Sequence, residues 1–301
     1  MTRFEVKLTG WIAWRDSESA IKCCSLLKNN KFTYYKPDIE LGFNDERRLL
    51  ALIQVTCPVN TSMSQVKGVA LQYEDQNCPM DRQMYIMPYV LKPPQKNDSF
   101  GICLKLLYGQ NIDIVNLKTW IEYYMELGVD KVFMYTYNIS KTTHDVLNYY
   151  TNKGFIDKRP YDYPMKQTHQ VGEVTTRYFV SEHVITYDCY RRFTGYQYIA
   201  IVDMDEFIVP NKHDNLKSMM TYLTQTYPKA AGFTLSSYIF LKDNVTLSNN
   251  SQSLPDIEKY FYRTRSLEVK GGRLKNIVIP HRIHPIRYQT HLFYPLPGYT
   301  R

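Results

Sequence analysis

From Gly101 onward the chain alternates short apolar segments with amphipathic ones, which restricts this part to a layered α/β fold with a mostly parallel sheet. Ile102 to Leu107 reads as a strand. Asp113 to Leu127 carries Ile114, Leu117, Ile121, Tyr124 and Met125 at helical spacing, and Gly128 stands where a helix-ending glycine belongs. Lys131 to Tyr135 returns to strand character. The scheme then repeats: Thr142 to Lys153 is helical with Val146, Leu147 and Tyr150 on one face, Gly154 closes it, and Phe155-Ile156 opens a strand. A long helix is expected around Val174 to Arg192, and Tyr198 to Val202 is the most apolar strand of the chain.

The first part lacks this alternation. Segments such as Leu50 to Thr56 and Met84 to Leu91 read as strands separated by turns. Lys92 to Ser99 has the proline and polar composition of a linker. Two regions are therefore expected: β-rich over residues 1–95, and α/β over residues 96–301.

The strand Tyr198 to Val202 runs straight into Asp203-Met204-Asp205-Glu206. In a parallel α/β sheet, ligands bind beyond the carboxyl ends of the strands, so carboxylates at i and i+2 can converge there on a cation. Oxygen donors suit a hard divalent ion, Mn²⁺ or Mg²⁺, and a bound diphosphate would complete the coordination. Such an ion would stabilise charge on a departing nucleotide diphosphate, which is the chemistry of sugar transfer from a nucleotide sugar. Met204 offers a hard metal nothing and is expected to face the core. Glu206 serves equally well as a supporting partner of the metal ligands or as a cap of the next helix. The bland alternative for the whole cluster is a helix cap or a solvated acidic loop.

With a formal charge of +8, the chain favours anionic partners such as nucleotide diphosphates, acidic glycans or lipid head groups. Nucleic acid is disfavoured, because the basic residues form neither an arm nor a zinc-finger pattern and no RNA-binding aromatic signature is present. The six cysteines include no Cys-x-x-Cys pair, and five Asn-x-Ser/Thr sequons stand at Asn60, Asn97, Asn138, Asn244 and Asn249. Together these point to a lumenal or extracellular setting. The sequence shows neither a signal peptide nor an apolar run long enough to span a bilayer.

Several segments, in order, resemble glycosyltransferase family 92. They are Cys103 to Gly109, Trp120 to Tyr135, Val146 to Tyr150 with Gly154, Asp188-Cys189, and Tyr198 to Pro210. The resemblance covers about Gly101 to His291 and implies a GT-A fold and an inverting transfer of galactose from UDP-galactose, with Mn²⁺, to a glycan on a glycoprotein or glycolipid. It makes Asp203 and Asp205 the metal and nucleotide carboxylates. It also matches a basic segment, Arg273 to Pro280, in which Arg273 and Lys275 would contact the diphosphate, and a late histidine, His291, as a third metal ligand with His284 as its competitor. The resemblance further implies a Golgi address, with a membrane anchor that lies outside this chain. Regional proximity and the resemblance pair Cys57 with Cys78 and Cys103 with Cys189.

An inverting displacement needs a carboxylate to deprotonate the acceptor hydroxyl, and fold analogy places it between the acidic triplet and the metal histidine. Asp256, Glu258 and Glu268 lie there, and spacing distinguishes none of them from ordinary surface acids. Two alternative functions remain. A metal-dependent phosphatase of the Asp-x-Asp type shares the strand-to-acid junction, but its motif usually carries Thr or Val where this chain has Phe207, and it tends to open its fold. A catalytically silent glycan-binding protein on the same scaffold would need no nucleotide site.

Overall fold

A computed structural model describes residues 4–13, 20–41, 50–87, 92, 94, 97–161, 183–240, 254–260, 262–264, 274–284, 287–288 and 290–301. The chain divides into two compact units, one of Met1–Val90 with Thr168–Val184, the other of Leu91–Gln167 with Ile185–Arg301.

The first unit is all antiparallel. Its strands are β1 (Phe4–Ala13), β2 (Ile21–Leu27), β3 (Phe32–Tyr35), β4 (Asp38–Leu41), β5 (Leu50–Val59) and β6 (Val66–Tyr73). They form two three-stranded sheets, ordered β1-β5-β4 and β3-β2-β6. Every second residue of β5 from Ile53 to Val59 joins Ile21 and Cys23 of β2 and Val66 and Val69 of β6 in one core, so the sheets pack face to face. A disulfide, Cys23–Cys57, crosses that core, and a second, Cys24–Cys78, lies beside it. Adjacent residues of a strand point to opposite faces, so Cys23 and Cys24 must find different partners. That corrects the expected Cys57–Cys78 pairing: Cys57 faces Cys23 across the core, leaving Cys78 to Cys24. The strand expected over Met84 to Leu91 is also corrected. Asp81 accepts from the Gln83 N–H and starts a 3-10 turn over Arg82–Met84, after which Ile86 makes only an isolated bridge to Val69; residues 88–91 lie outside the described residues.

The second unit holds a six-stranded sheet of β7 (Phe100–Tyr108), β8 (Lys131–Tyr137), β9 (Ile156–Pro160), β10 (Tyr198–Val202), β11 (Gly232–Leu235) and β12 (Lys275–Val278), ordered β11-β12-β10-β7-β8-β9. Four adjacent strands, β9, β8, β7 and β10, are parallel, and β12 runs antiparallel to both β10 and β11. The helices are α1 (Ile114–Glu126), α2 (Lys141–Asn152), α3 (residues 183–192, of which 185–192 belong to this unit) and α4 (Leu216–Thr226). Asp113 caps α1 by accepting from the Val115 and Asn116 N–H groups, and Ser140 caps α2 from the Thr143 N–H. Gly128 and Gly154 follow α1 and α2 at φ +80° and +76°, the left-handed conformation that ends a helix and suits glycine. Of the long helix expected around Val174 to Arg192, the described part is α3.

Helices α1, α2 and α4 bury Leu117, Trp120, Ile121, Tyr124, Leu147 and Met220 against one sheet face, which presents Phe100, Ile102, Tyr198, Ala200 and Val202. The other face presents Cys103, Phe133, Ile199 and Ile201 to Cys189 and Tyr190 of α3 and to Phe193, Tyr288 and Phe293. With both faces covered, all five residues of β10 are buried, as its unbroken apolar run requires. Gly101 allows the Phe193 ring onto β7, since a Cβ there would stand 2.5 Å from it. The Cys103–Cys189 disulfide ties β7 to α3 on this face. Among the described residues no helix is long and apolar enough to cross a membrane.

Candidate functional site

From β7 the chain steps outward through β8 and β9, then returns to lay β10 on the other side of β7. The order of the sheet thus reverses between β7 and β10, and a crevice opens at such a point beyond the carboxyl ends of the strands. Asp203 follows the last residue of β10 and therefore sits at that switch point.

Three strands supply the charges there. In the parallel register Val202 lies opposite Leu104, which brings the next residue of β7, Lys105, alongside Asp203. On its other side β7 is bulged: Leu104 faces Met134 and Leu106 faces Tyr135, with Lys105 in the bulge between them. Because β12 is antiparallel, its first residue, Lys275, arrives at the same end. The Lys105 Nζ lies 3.3 Å from Asp203 Oδ1, and the Lys275 Nζ lies 2.9 Å from both Asp203 Oδ2 and Glu206 Oε2. Both lysine side chains are buried, at 9% and 7% exposure, whereas the two acids are about one-third open. Two positive and two negative groups therefore neutralise one another. Burial opposes ionisation of Asp203, but Lys105 and then Lys275 outweigh it and hold this carboxyl below the usual aspartate range.

The turn that follows is clamped by one face of α1. The Trp120 Nε1–H is shared between the carbonyls of Asp203 and Glu206, each at 3.1 Å. The Tyr124 hydroxyl donates to the Glu206 carbonyl and accepts from the Ile208 N–H, both at 3.1 Å, while Tyr123 donates to the Ile208 carbonyl at 2.9 Å. Burial pushes the Tyr123 hydroxyl up to about 12 and Tyr124 well above its ordinary value, so both remain protonated donors at physiological pH. Glu206 turns back on its own chain, its Oε2 accepting from the Asp203 N–H at 2.8 Å. It caps a turn and pairs with Lys275; the helix that follows, α4, has its own cap in Asn215. Met204 packs partly buried against the core below the turn. Tyr124→Phe is expected to cost roughly 1–3 kcal/mol in denaturant unfolding, because the buried Ile208 N–H loses its acceptor. Unchanged stability would mean that the hydroxyl holds nothing in place.

Asp205 differs from Asp203 in being exposed, with no ion pair or hydrogen bond among the described residues. His291 lies beside β12, its Nδ1 2.8 Å from the carbonyl of Leu274, the residue before Lys275. A carbonyl only accepts, so Nδ1 carries the hydrogen and, in the uncharged ring, Nε2 keeps a lone pair. His284 is held through its backbone, its N–H donating to the Tyr294 carbonyl at 2.8 Å. Asp256 and Glu258 lie on a short helical turn, Asp256–Lys259, which meets α1 where the Asp256 N–H donates to Asn116 Oδ1 at 2.7 Å. Arg273 and Glu268 lie outside the described residues.

Among the described residues, no three His, Cys, Asp or Glu side chains gather into a group able to hold a metal ion. Both oxygens of Asp203 already face ammonium groups, which leaves Asp205 as the unengaged carboxylate of the triplet. Such a donor set does not form an all-protein cage. It does fit an ion of the Mg²⁺ type, which typically takes one or two carboxylates and fills its shell with substrate phosphates and water.

Lys105, the aromatic face of α1 and the lysine-bound state of Asp203 are additions to the site expected from sequence. The visible signal for Lys105 was a charged residue inside an otherwise apolar strand, Cys103 to Tyr108.

No curated protein matches the chain significantly. The profile of glycosyltransferase family 92 matches residues 98–285, from just before β7 through β12, and so takes in the sheet, the acidic turn and both lysines. An α/β unit with a parallel-rich sheet and acids at its switch point suits a transferase that takes a nucleotide-sugar donor and a glycan acceptor, and the chain belongs to glycosyltransferase family 92.

Proposed function

We propose that the chain is an inverting, metal-dependent glycosyltransferase with a GT-A-type nucleotide-binding unit, transferring galactose from UDP-galactose to a glycan on a glycoprotein or glycolipid. The observation that carries this reading is the acidic turn Asp203–Glu206 at the switch point between β7 and β10, backed by two buried lysines. In this reading Asp205 and the Nε2 of His291 hold Mn²⁺ or Mg²⁺, with donor phosphates completing the shell. When bound, the ion would stabilise negative charge on the departing UDP.

The chain's own groups have distinct tasks in this reading. Lys105 and Lys275 fix the Asp203 carboxylate and, with Glu206, leave the cluster without the excess negative charge that would repel an anionic diphosphate. Arg273 adds a guanidinium suited to phosphate oxygens. Trp120, Tyr123 and Tyr124 keep the turn from reorganising when donor arrives. One of Asp256, Glu258 and Glu268 removes the acceptor proton as the hydroxyl oxygen attacks the anomeric carbon and the bond to UDP breaks. The three disulfides and the sequons support a Golgi-lumen address, with a membrane anchor outside the residues of this chain.

The test is a donor screen. UDP release from UDP-galactose is expected to require Mn²⁺ and a pool of mixed glycans together. Release of inorganic phosphate from a simple phosphoester, with no UDP formed from any sugar donor, would make the site a phosphatase.

A further inference from the structure

Strand β11 points the same way as β10, because both are antiparallel to β12. Its last residue, Leu235, pairs directly with Lys275, the lysine that holds Asp203. The chain leaving β11 therefore starts at the rim of the candidate donor site. There it forms a ribbon with residues 263–264: Phe240 bridges Arg263, the Thr264 N–H donates to the Ile239 carbonyl at 2.9 Å, and the Ile239 N–H donates to Thr264 Oγ1 at 3.2 Å.

Tyr238 and Phe240 are two residues apart on this extended segment, which puts them on one face, and Arg263, bridged to Phe240, shares it. The Arg263 guanidinium lies 4.2 Å from the centre of the Tyr238 ring and stacks on it. Both rings remain open to solvent, Tyr238 at 42% and Phe240 at 50% exposure. At roughly 3.3 Å per residue, Tyr238 stands about 10 Å of chain beyond the pair Leu235 and Lys275, and Phe240 about 17 Å.

Two exposed rings, one of them carrying a guanidinium, make a surface of mixed character. The flat apolar faces suit the C–H face of a pyranose, while the guanidinium N–H groups and the tyrosine hydroxyl suit sugar hydroxyls. We propose that Tyr238, Phe240 and Arg263 form the platform on which the acceptor glycan lies as its terminal sugar reaches the switch point. This rests on the transferase reading above and adds to it the place and the contacts of the acceptor. Tyr262 supplies an internal control: it is an exposed aromatic, at 63%, but alternation along the ribbon turns it to the face opposite Arg263.

The experiment measures binding, independently of which donor sugar is used. A pool of N- and O-linked oligosaccharides released from glycoproteins is titrated into the protein with UDP and Mn²⁺ present and followed by saturation-transfer NMR, with UDP affinity measured in parallel. Tyr238→Ala and Phe240→Ala are each expected to weaken oligosaccharide binding roughly five- to tenfold, a loss within the upper range of single aromatic contacts, with UDP affinity unchanged. Tyr238→Phe should keep most of the affinity, and Tyr262→Ala all of it. Wild-type glycan affinity in both alanine variants, an equal loss in Tyr262→Ala, or no glycan binding by the wild type overturns the platform. A wild type that binds glycan through these rings but no UDP overturns the donor-site reading and leaves the platform standing.

Discussion

Asp205→Ala is expected to lower Mn²⁺-dependent UDP binding and sugar transfer by roughly 10²–10³-fold, the scale seen when one charge-stabilising group is removed from an active site. Its melting temperature should hardly move, since exposed surface substitutions usually stay within about 0.5 kcal/mol. Asp203→Ala should behave differently. It removes the carboxylate that faces both buried ammonium groups, Lys105 and Lys275, so stability as well as binding should fall. Calorimetric titration of UDP with and without Mn²⁺, next to thermal unfolding of the free protein, separates the two roles. His291→Ala should weaken the Mn²⁺ dependence and His284→Ala should leave it alone, because only the His291 ring is anchored beside Lys275 with its Nε2 left over. Turnover of Asp205→Ala at the wild-type rate and wild-type Mn²⁺ dependence would end the metal assignment.

The second large effect concerns the disulfide between Cys103 and Cys189. It closes a chain separation of 86 residues and joins the central strand β7 to α3 inside a core that includes Phe133, Tyr190, Phe193, Ile199 and Ile201. The chain-entropy estimate for a loop of this length is roughly 4–5 kcal/mol, and strain in the native state would reduce it. The paired change Cys103→Ala with Cys189→Ala is expected to lower the melting temperature by about 10 °C, given about 2–4 °C per kcal/mol for domains of this size. Replacing both residues avoids leaving a lone buried thiol. A fall below about 2 °C would mean that the surrounding packing holds α3 without the covalent link.

What was legible in the sequence was whatever rests on local pattern. Helical spacing with Asp113 before it and Gly128 after it defined α1 to within a residue at each end. The five-residue apolar run of β10 announced a strand covered on both faces, and the acids after it marked the strand's carboxyl end. What was not legible depends on register or on distant partners. Lys105 reaches Asp203 through the register of β7 against β10, which no periodicity shows. The aromatic residues of α1 read simply as core, because a hydroxyl's hydrogen-bond partner more than eighty residues away leaves no trace in the local pattern. The cysteine pairing failed at Cys57 for a related reason: which face of β2 each neighbouring cysteine occupies is settled by how two sheets stack.

The charge cluster also dictates an order of assembly. Lys105, Asp203 and Lys275 come from β7, β10 and β12, and nothing but sheet pairing brings them within contact of one another. Contacts of such long sequence separation close late, after loop entropy has been overcome. A growing chain that has made β7 and β10 but not β12 holds Asp203 with one lysine, an open sheet edge beside it, and no partner for Glu206 on Lys275. The complete charge cluster therefore forms only when β12 docks between β10 and β11. If the turn binds donor as proposed, donor binding would then report the completion of the sheet.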